Sequence, residues 1–158
     1  MTKLKNFLSI VWASPMTLLG LLLTCIPAMV GWYTYVGVKR KALIFSVNYK
    51  DLPLWYQHRW QLKKAFTVGH VVVINCDLHS KHGDCVLLHE LEHVRQFEIL
   101  GIFYPMVYLL VWLALAVVCK LSNPRYSHPF ELEARRVAGQ VIDVEGLILK
   151  LKASMRHS

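Results

Sequence analysis

The stretch LLHELEHVRQFEILG, residues 87–101, contains His89, Glu90 and His93 in an H-E-x-x-H arrangement. From Asp84 the pattern is helical: Asp84 can cap the N-terminus, Leu87, Leu91 and Val94 recur on one face, and Gly101 stands where helices commonly stop. On that helix His89 and His93 are four residues apart and share a face, so both imidazoles can reach one metal ion. Glu90 follows about 100° further round, next to the pair. Two neutral imidazoles can hold Zn2+, the metal acidifies a water, and the glutamate takes its proton as that water attacks a carbonyl. The competing reading is a charged amphipathic helix with histidines facing solvent. The cap and the strand expected before the helix favour the metal.

Upstream, ALIFSVNY (42–49) and VGHVVVIN (68–75) are rich in β-branched and aromatic residues and predict strands. Between them DLPLWYQHRWQLKKAF (51–66) predicts a short helix, either at a bilayer surface or packing Trp55 and Trp60 on a sheet. In CDLHSKHGDC (76–85), Cys76, His79, His82 and Cys85 recur every third residue. These donors suit a closed structural zinc, but Asn75, Asp77, Ser80 and Gly83 read as loop, and a polar loop over the site entrance is preferred. The four cysteines, at 25, 76, 85 and 119, form no disulfide framework. A Cys76–Cys85 pair is conceivable, and the redox compartment stays open, leaning towards reducing.

Beyond the motif the chain is unusually apolar: 55% of its 158 residues are hydrophobic, and Phe7–Val38 and Ile99–Cys119 are free of charge. That length allows about one domain with one modest core, and the composition makes a lipid bilayer the first partner to consider. Residues 1–41 predict an N-terminal hydrophobic membrane segment, either one tilted span or a helical hairpin broken at Pro15, Pro27 or Gly31. A cleaved signal peptide fits less well, because the apolar part is too long. Residues 42–158 predict the folded domain, with an apolar helix at 102–120. Lys3, Lys5, Lys39, Arg40 and Lys41 flank the first run and favour a hairpin with both ends, and the catalytic face, cytoplasmic. The net charge of +8 comes in twos and threes beside apolar segments rather than in one stripe, so nucleic acid is not expected as a partner.

A catalytic zinc needs a third protein ligand, often a carboxylate. Glu98 is too close along its own helix, and of the downstream carboxylates those in HPFELEARRVAG (128–139) are better placed than Asp143 or Glu145. That last helix is predicted from Pro129 to about Lys152. Here the sequence resembles the gluzincins, metallopeptidases with H-E-x-x-H on one helix and a ligand glutamate on a later one. Most similar are membrane gluzincins of the CAAX-prenyl-protease and heat-shock-protease type, whose second motif is E-x-x-A-D. Glu131, Leu132, Glu133, Ala134 and Arg135 fall on it, with Arg135 replacing the aspartate.

The resemblance implies an α+β, zincin-like fold: a small sheet, the H-E-x-x-H helix, a later glutamate helix and apolar membrane-associated helices. It implies Glu131 as third ligand, with Glu133 as the alternative. Glu131 also has a purely structural explanation, favouring its helix dipole and pairing with Arg135. The replaced aspartate leaves the support of the metal ligands unassigned. By the same resemblance the strand at 68–75 is an edge strand that binds substrate by backbone pairing. Tyr126, His128 and Arg135 are candidate transition-state stabilisers.

A topological constraint follows. If 102–120 crossed a bilayer in the ordinary way, His93 and Glu131 would start on opposite sides and could not share a zinc. A return as extended chain through lipid is excluded by its unsatisfied backbone groups. A monotopic or hairpin-anchored protein with its cleft near the membrane surface is therefore expected. The function expected is a membrane-associated zinc metallopeptidase acting on a peptide or protein substrate. The alternative is a non-catalytic membrane protein using the helix as a structural or zinc-stabilised interaction element.

Overall fold

The computed structural model describes residues 2–78, 80–118 and 124–140, and the backbone only at 2–6, 59, 61, 62, 118 and 126. In chain order its elements are α1 (Thr2–Met29), β1 (Tyr33–Lys39), β2 (Ala42–Val47), α2 (Leu54–Leu62), β3 (Ala65–Val68) and β4 (Val71–Ile74), followed by α3 (Lys81–Leu100), α4 (Tyr104–Leu113), α5 (Pro124–Ser127) and α6 (Pro129–Val137). The fold is α+β, as expected.

Alternation along β4 organises the layers. Val71 and Val73 point to one face with Tyr33, Phe45, Val47, Leu52 and Trp60, where Leu21 and Ala28 of α1 pack. Val72 and Ile74 point to the other, against Leu87, Leu91 and Val94 of α3. With a side-chain period of two, a strand of four apolar residues between two helical layers has no polar face to spare. The sheet order is β1-β2-β4-β3, with β2 and β4 parallel and the outer pairs antiparallel.

Three expectations change. The stretch 68–75 is not one strand: Gly69, at φ 59, reverses the chain, and β3 and β4 form a hairpin. A residue with no Cβ reaches that conformation cheaply, and the strand propensity of its neighbours hid the turn. Consequently β4 lies inside the sheet, and the edge next to it is β3. The charge-free run 7–38 is not a helical hairpin. Pro15 and Pro27 stay within one helix, the break comes at Gly31 (φ 79), and Tyr33–Lys39 pairs with β2. Residues 33–39 thus belong to the sheet rather than to a membrane segment. In α2, Trp60 (4% exposed) packs in the core, whereas Trp55 (68%) faces outward.

The motif helix begins at Lys81, capped by Ser80, whose hydroxyl accepts from Gly83 N at 3.0 Å; Asp84 sits in the first turn instead. The last helix starts at Pro129 as expected but ends at Val137 rather than running on to 152: Ala138 caps it, Gly139 (φ 67) reverses the chain, and Gln140 N donates back to Arg135 O at 2.9 Å; residues 141–152 lie outside the described residues. Of the apolar segment 102–120, the described residues up to 118 form a 3-10 turn, α4 and a π-helical turn over Ala114–Val118. Two helical stretches, Phe7–Met29 and Lys81–Val117, are long and apolar enough to cross a membrane.

Helix α1 packs closely on the hairpin turn and on the end of α3. A Cβ on Gly69 would lie 2.4 Å from Thr17 N, and one on Gly101 2.5 Å from the Trp12 indole nitrogen, which donates to Ile99 O at 3.2 Å. Gly31 shares the positive φ but faces open space. In thermal unfolding, Gly31→Ala is expected to cost roughly 1 kcal/mol and Gly69→Ala roughly 2–3 kcal/mol, since the second adds a backbone clash to the strain. Equal midpoints for the two variants would mean that α1 is not held against the hairpin.

Candidate metal centre

Helices α3 and α6 bring the site together. Gly83 admits the close passage of the preceding loop, since a Cβ there would lie 2.0 Å from Asp77 O. At the start of α6, His128 caps the helix by accepting from Phe130 N at 3.3 Å, Pro129 fills the first turn, and Glu131 follows in it. Glu131 thereby faces His89 and His93 across the gap between the helices.

His89 Nε2 and His93 Nε2 are 3.2 Å apart. Glu131 offers Oε2 to His89 Nε2 at 3.5 Å and Oε1 to His93 Nε2 at 3.8 Å. Ligands about 2.0–2.1 Å from a tetrahedral zinc are separated by about 3.3 Å along each edge, close to the distance between the two imidazole nitrogens, and one ligand atom from each of the three residues lies within 4.8 Å of the others. The donor set, two imidazoles and one carboxylate, is also one that zinc takes in hydrolytic sites. All three residues are largely buried and could hold a metal together.

Gln96 ties the two helices to one another. Its Nε2 donates to Phe130 O at 3.1 Å, which orients the amide, and its Oε1 therefore faces His93 Nδ1 at 2.9 Å. An amide oxygen only accepts, so His93 carries its proton on Nδ1 and turns the Nε2 lone pair to the cluster. The Tyr104 hydroxyl donates to the same Gln96 oxygen at 3.3 Å. His89 has no such support: its buried Nδ1 lacks a hydrogen-bond partner among the described residues.

Burial by itself would raise the Glu131 pKa. The hydrogen bond with His89 and the charges of His93, Arg125 and His89 outweigh it and bring the carboxyl down to about 2, so Glu131 is ionised at neutral pH. Tyr108 donates to its Oε1 at 3.1 Å, and Arg125 lies 3.4 Å from the same oxygen. Glu90 is buried beside the cluster, held by the Thr67 hydroxyl of β3, which donates to Oε2 at 2.6 Å.

The other candidates separate. Glu133 faces Arg95 at 2.6 Å and is half-exposed, away from the three donors. His128 is buried as a helix cap, and with Nδ1 accepting, Nε2–H donates to Tyr108 O at 3.1 Å. Its burial lowers its pKa, and it supports Tyr108 rather than facing the cleft. Arg135 lines the cleft. The Tyr126 side chain lies outside the described residues, as does His79 of the proposed second zinc. Of that set, Cys76 and Cys85 are free thiols, His82 lines the same hollow as His89, and no second donor cluster occurs among the described residues.

Sequence reasoning missed Gln96, Tyr104, Tyr108 and Thr67. Gln96, three residues after His93 on the same helix, carried a readable signal; Thr67 carried none.

The chain matches no protein-family model, no curated protein and no solved structure. Fold and site therefore define it as an α+β protein with apolar helices and a buried His/His/Glu cluster able to hold a metal.

Elemental analysis of purified protein is expected to find one zinc per chain, lost in Glu131→Gln and kept in Glu133→Gln. Gln96→Leu should weaken zinc binding about 10–100-fold in chelator competition, the usual effect of removing a ligand's outer hydrogen bond. Full zinc in Glu131→Gln would remove Glu131 from the ligand set.

Proposed function

We propose that this chain is a membrane-associated zinc metallopeptidase of gluzincin type. His89, His93 and Glu131 would hold the ion and Glu90 would act as general base. The observation that carries the reading is the convergence of three buried donors, one ligand atom of each within 4.8 Å of the others, with a fourth, separately held carboxylate beside them.

Zinc, when bound, supplies Lewis acidity that polarises a carbonyl and brings the pKa of a water near 7. The chain's own residues do the rest. Glu90 Oε2 is fixed by Thr67, so the carboxylate is oriented before substrate arrives. It would take a proton from the attacking water and pass it to the leaving amine. Tyr104 and Tyr108 line the His93 side of the cleft but give their hydroxyl protons to Gln96 and Glu131, so Arg125, which lies beside Glu131 and lines the same cleft, is the group that would donate to a developing oxyanion. The free side of β3, whose Ala65, Phe66 and Thr67 line the same cleft, suits an extended peptide bound by backbone pairing.

The membrane association rests on the two long apolar helices and on their uncovered faces, including Leu18, Leu22 and Ile26 of α1 and Met106, Leu109 and Leu110 of α4. A cytoplasmic cleft is carried only by Lys3 and Lys5 in the first turn of α1, because Lys39, Arg40 and Lys41 belong to the β1–β2 end of the sheet. The substrate is a peptide or protein at or near the bilayer.

A second reading is favoured by the His89 Nδ1, which lacks a partner among the described residues, and by Arg135 in the place of the resemblance's aspartate. In it the cluster is a zinc-stabilised structural or interaction element without catalysis. Glu90→Gln separates the two, because it keeps every ligand. The expected result is unchanged zinc content with peptide cleavage lowered at least about 1000-fold. Equal cleavage by wild type and Glu90→Gln would sink the peptidase reading.

A further inference from the structure

Two hollows, of about 260 and 290 Å³, meet at the donor cluster and share Lys63, Ala65, Glu90, Arg125 and Glu131. They differ in chemistry. On the His93 side the walls are Phe66, Thr67, Tyr104 and Tyr108. On the His89 side they are Lys64, His82, Arg135 and Gln140. The His89-side hollow is therefore lined by Lys63, Lys64, Arg125 and Arg135, four cations.

Two carboxylates share the space, Glu131, which pairs with Arg125 at 3.4 Å and accepts from Tyr108, and Glu90, held by Thr67, so the cations outnumber them four to two. Lys63 and Lys64 are exposed where α2 leads into β3, and among the described residues no carboxylate lies within ion-pair distance of either. Like charges gathered in one cleft repel, and their field concentrates there. An anion entering that end relieves the repulsion and gains charge-assisted hydrogen bonds.

The position of the lysines sets which part of a ligand they meet. They precede Ala65, the first residue of the free-edged strand, so a peptide laid along β3 has one end between Lys63, Lys64 and Arg125. Resting on the peptidase reading, the geometry points to a substrate that carries a carboxylate on the His89 side of the cut bond. That carboxylate is an Asp or Glu side chain or the peptide's own C-terminus.

The test uses full-length, zinc-loaded Glu90→Gln protein in detergent, with binding read by fluorescence anisotropy. Three fluorescent peptide pools of equal length and apolar content serve as probes: amidated with Asp and Glu, neutral with a free C-terminus, and amidated with Lys. The acidic or the free-C-terminal pool is expected to bind at least about tenfold tighter than the basic one, and which of the two does so identifies the carboxylate. Lys63→Glu/Lys64→Glu should abolish that preference and Arg125→Gln should reduce it, both at full zinc content. Lys39→Glu/Lys50→Glu, the same charge change away from the cleft, should leave it intact.

Equal binding of all pools, no binding of any, or a preference lost equally in the Lys39/Lys50 variant would overturn the inference. So would an unchanged peptide preference in the Lys63/Lys64 variant together with loss of binding to phosphatidylglycerol vesicles, which would assign the lysines to lipid. Wild-type cleavage of the same pools tests the peptidase reading separately. A charge preference without cleavage keeps the carboxylate site and ends the peptidase; cleavage without preference does the reverse.

Discussion

Three lone-pair donors turned towards one another in a buried gap are the constraint around which the structure is arranged. His89, His93 and Glu131 would sooner face water, and only a shared proton or a cation between them offsets the loss of solvation. Holding them there requires α3 and α6 to meet at a fixed height. Gln96 achieves this with one side chain, binding the His93 ring through its oxygen and the Phe130 carbonyl, next to Glu131, through its nitrogen. The sheet in turn fixes α3 through Val72 and Ile74. It brings Thr67 to Glu90 on the opposite side of the gap.

The site is lopsided, and the asymmetry has chemical content. His93 has its tautomer set by Gln96, and Glu131 takes Tyr108 and Arg125 as neighbours, whereas His89 has neither. A ring without an outer hydrogen bond is oriented less firmly and is a less basic ligand. On the proposed reading, His93 and Glu131 are the preorganised half of the site and His89 the adjustable half, the half that also borders the cationic hollow.

The H-E-x-x-H helix was legible because its signals are local: a four-residue spacing, an apolar face at helical period and a glycine stop. Glu131 was legible only as a place in a second motif, since nothing in HPFELEARRVAG separates it from Glu133. The separation comes from α6 rotating Glu133 towards Arg95, a contact 38 residues apart in the chain. The strands were read less well for the opposite reason. Tyr33–Lys39 has strand-like aromatic and β-branched residues, but it stands at the end of a long uncharged run, and hydropathy outweighed propensity. In VGHVVVIN one glycine at positive φ turned a single strand into a hairpin and moved the free edge from β4 to β3. Edge position is a property of the whole sheet, and no residue within a strand encodes it.

On the membrane reading, the bond from Tyr108 to Glu131 favours one of the arrangements that the apolar segment allows. Tyr108 is only one turn into α4, so the motif helix and the glutamate helix stand at the same end of that segment. His128, stacked on the Tyr108 ring with centroids 4.0 Å apart, locks the return there. From Tyr108 to Val118 a helix climbs about 15 Å, half of a hydrocarbon core of about 30 Å. On that reading, a segment whose first turn meets the glutamate helix that follows it is not an ordinary single span. On the membrane reading, the apolar faces of α4 and α1 enter one leaflet, and the cleft they flank opens at the level where a peptide leaves the lipid.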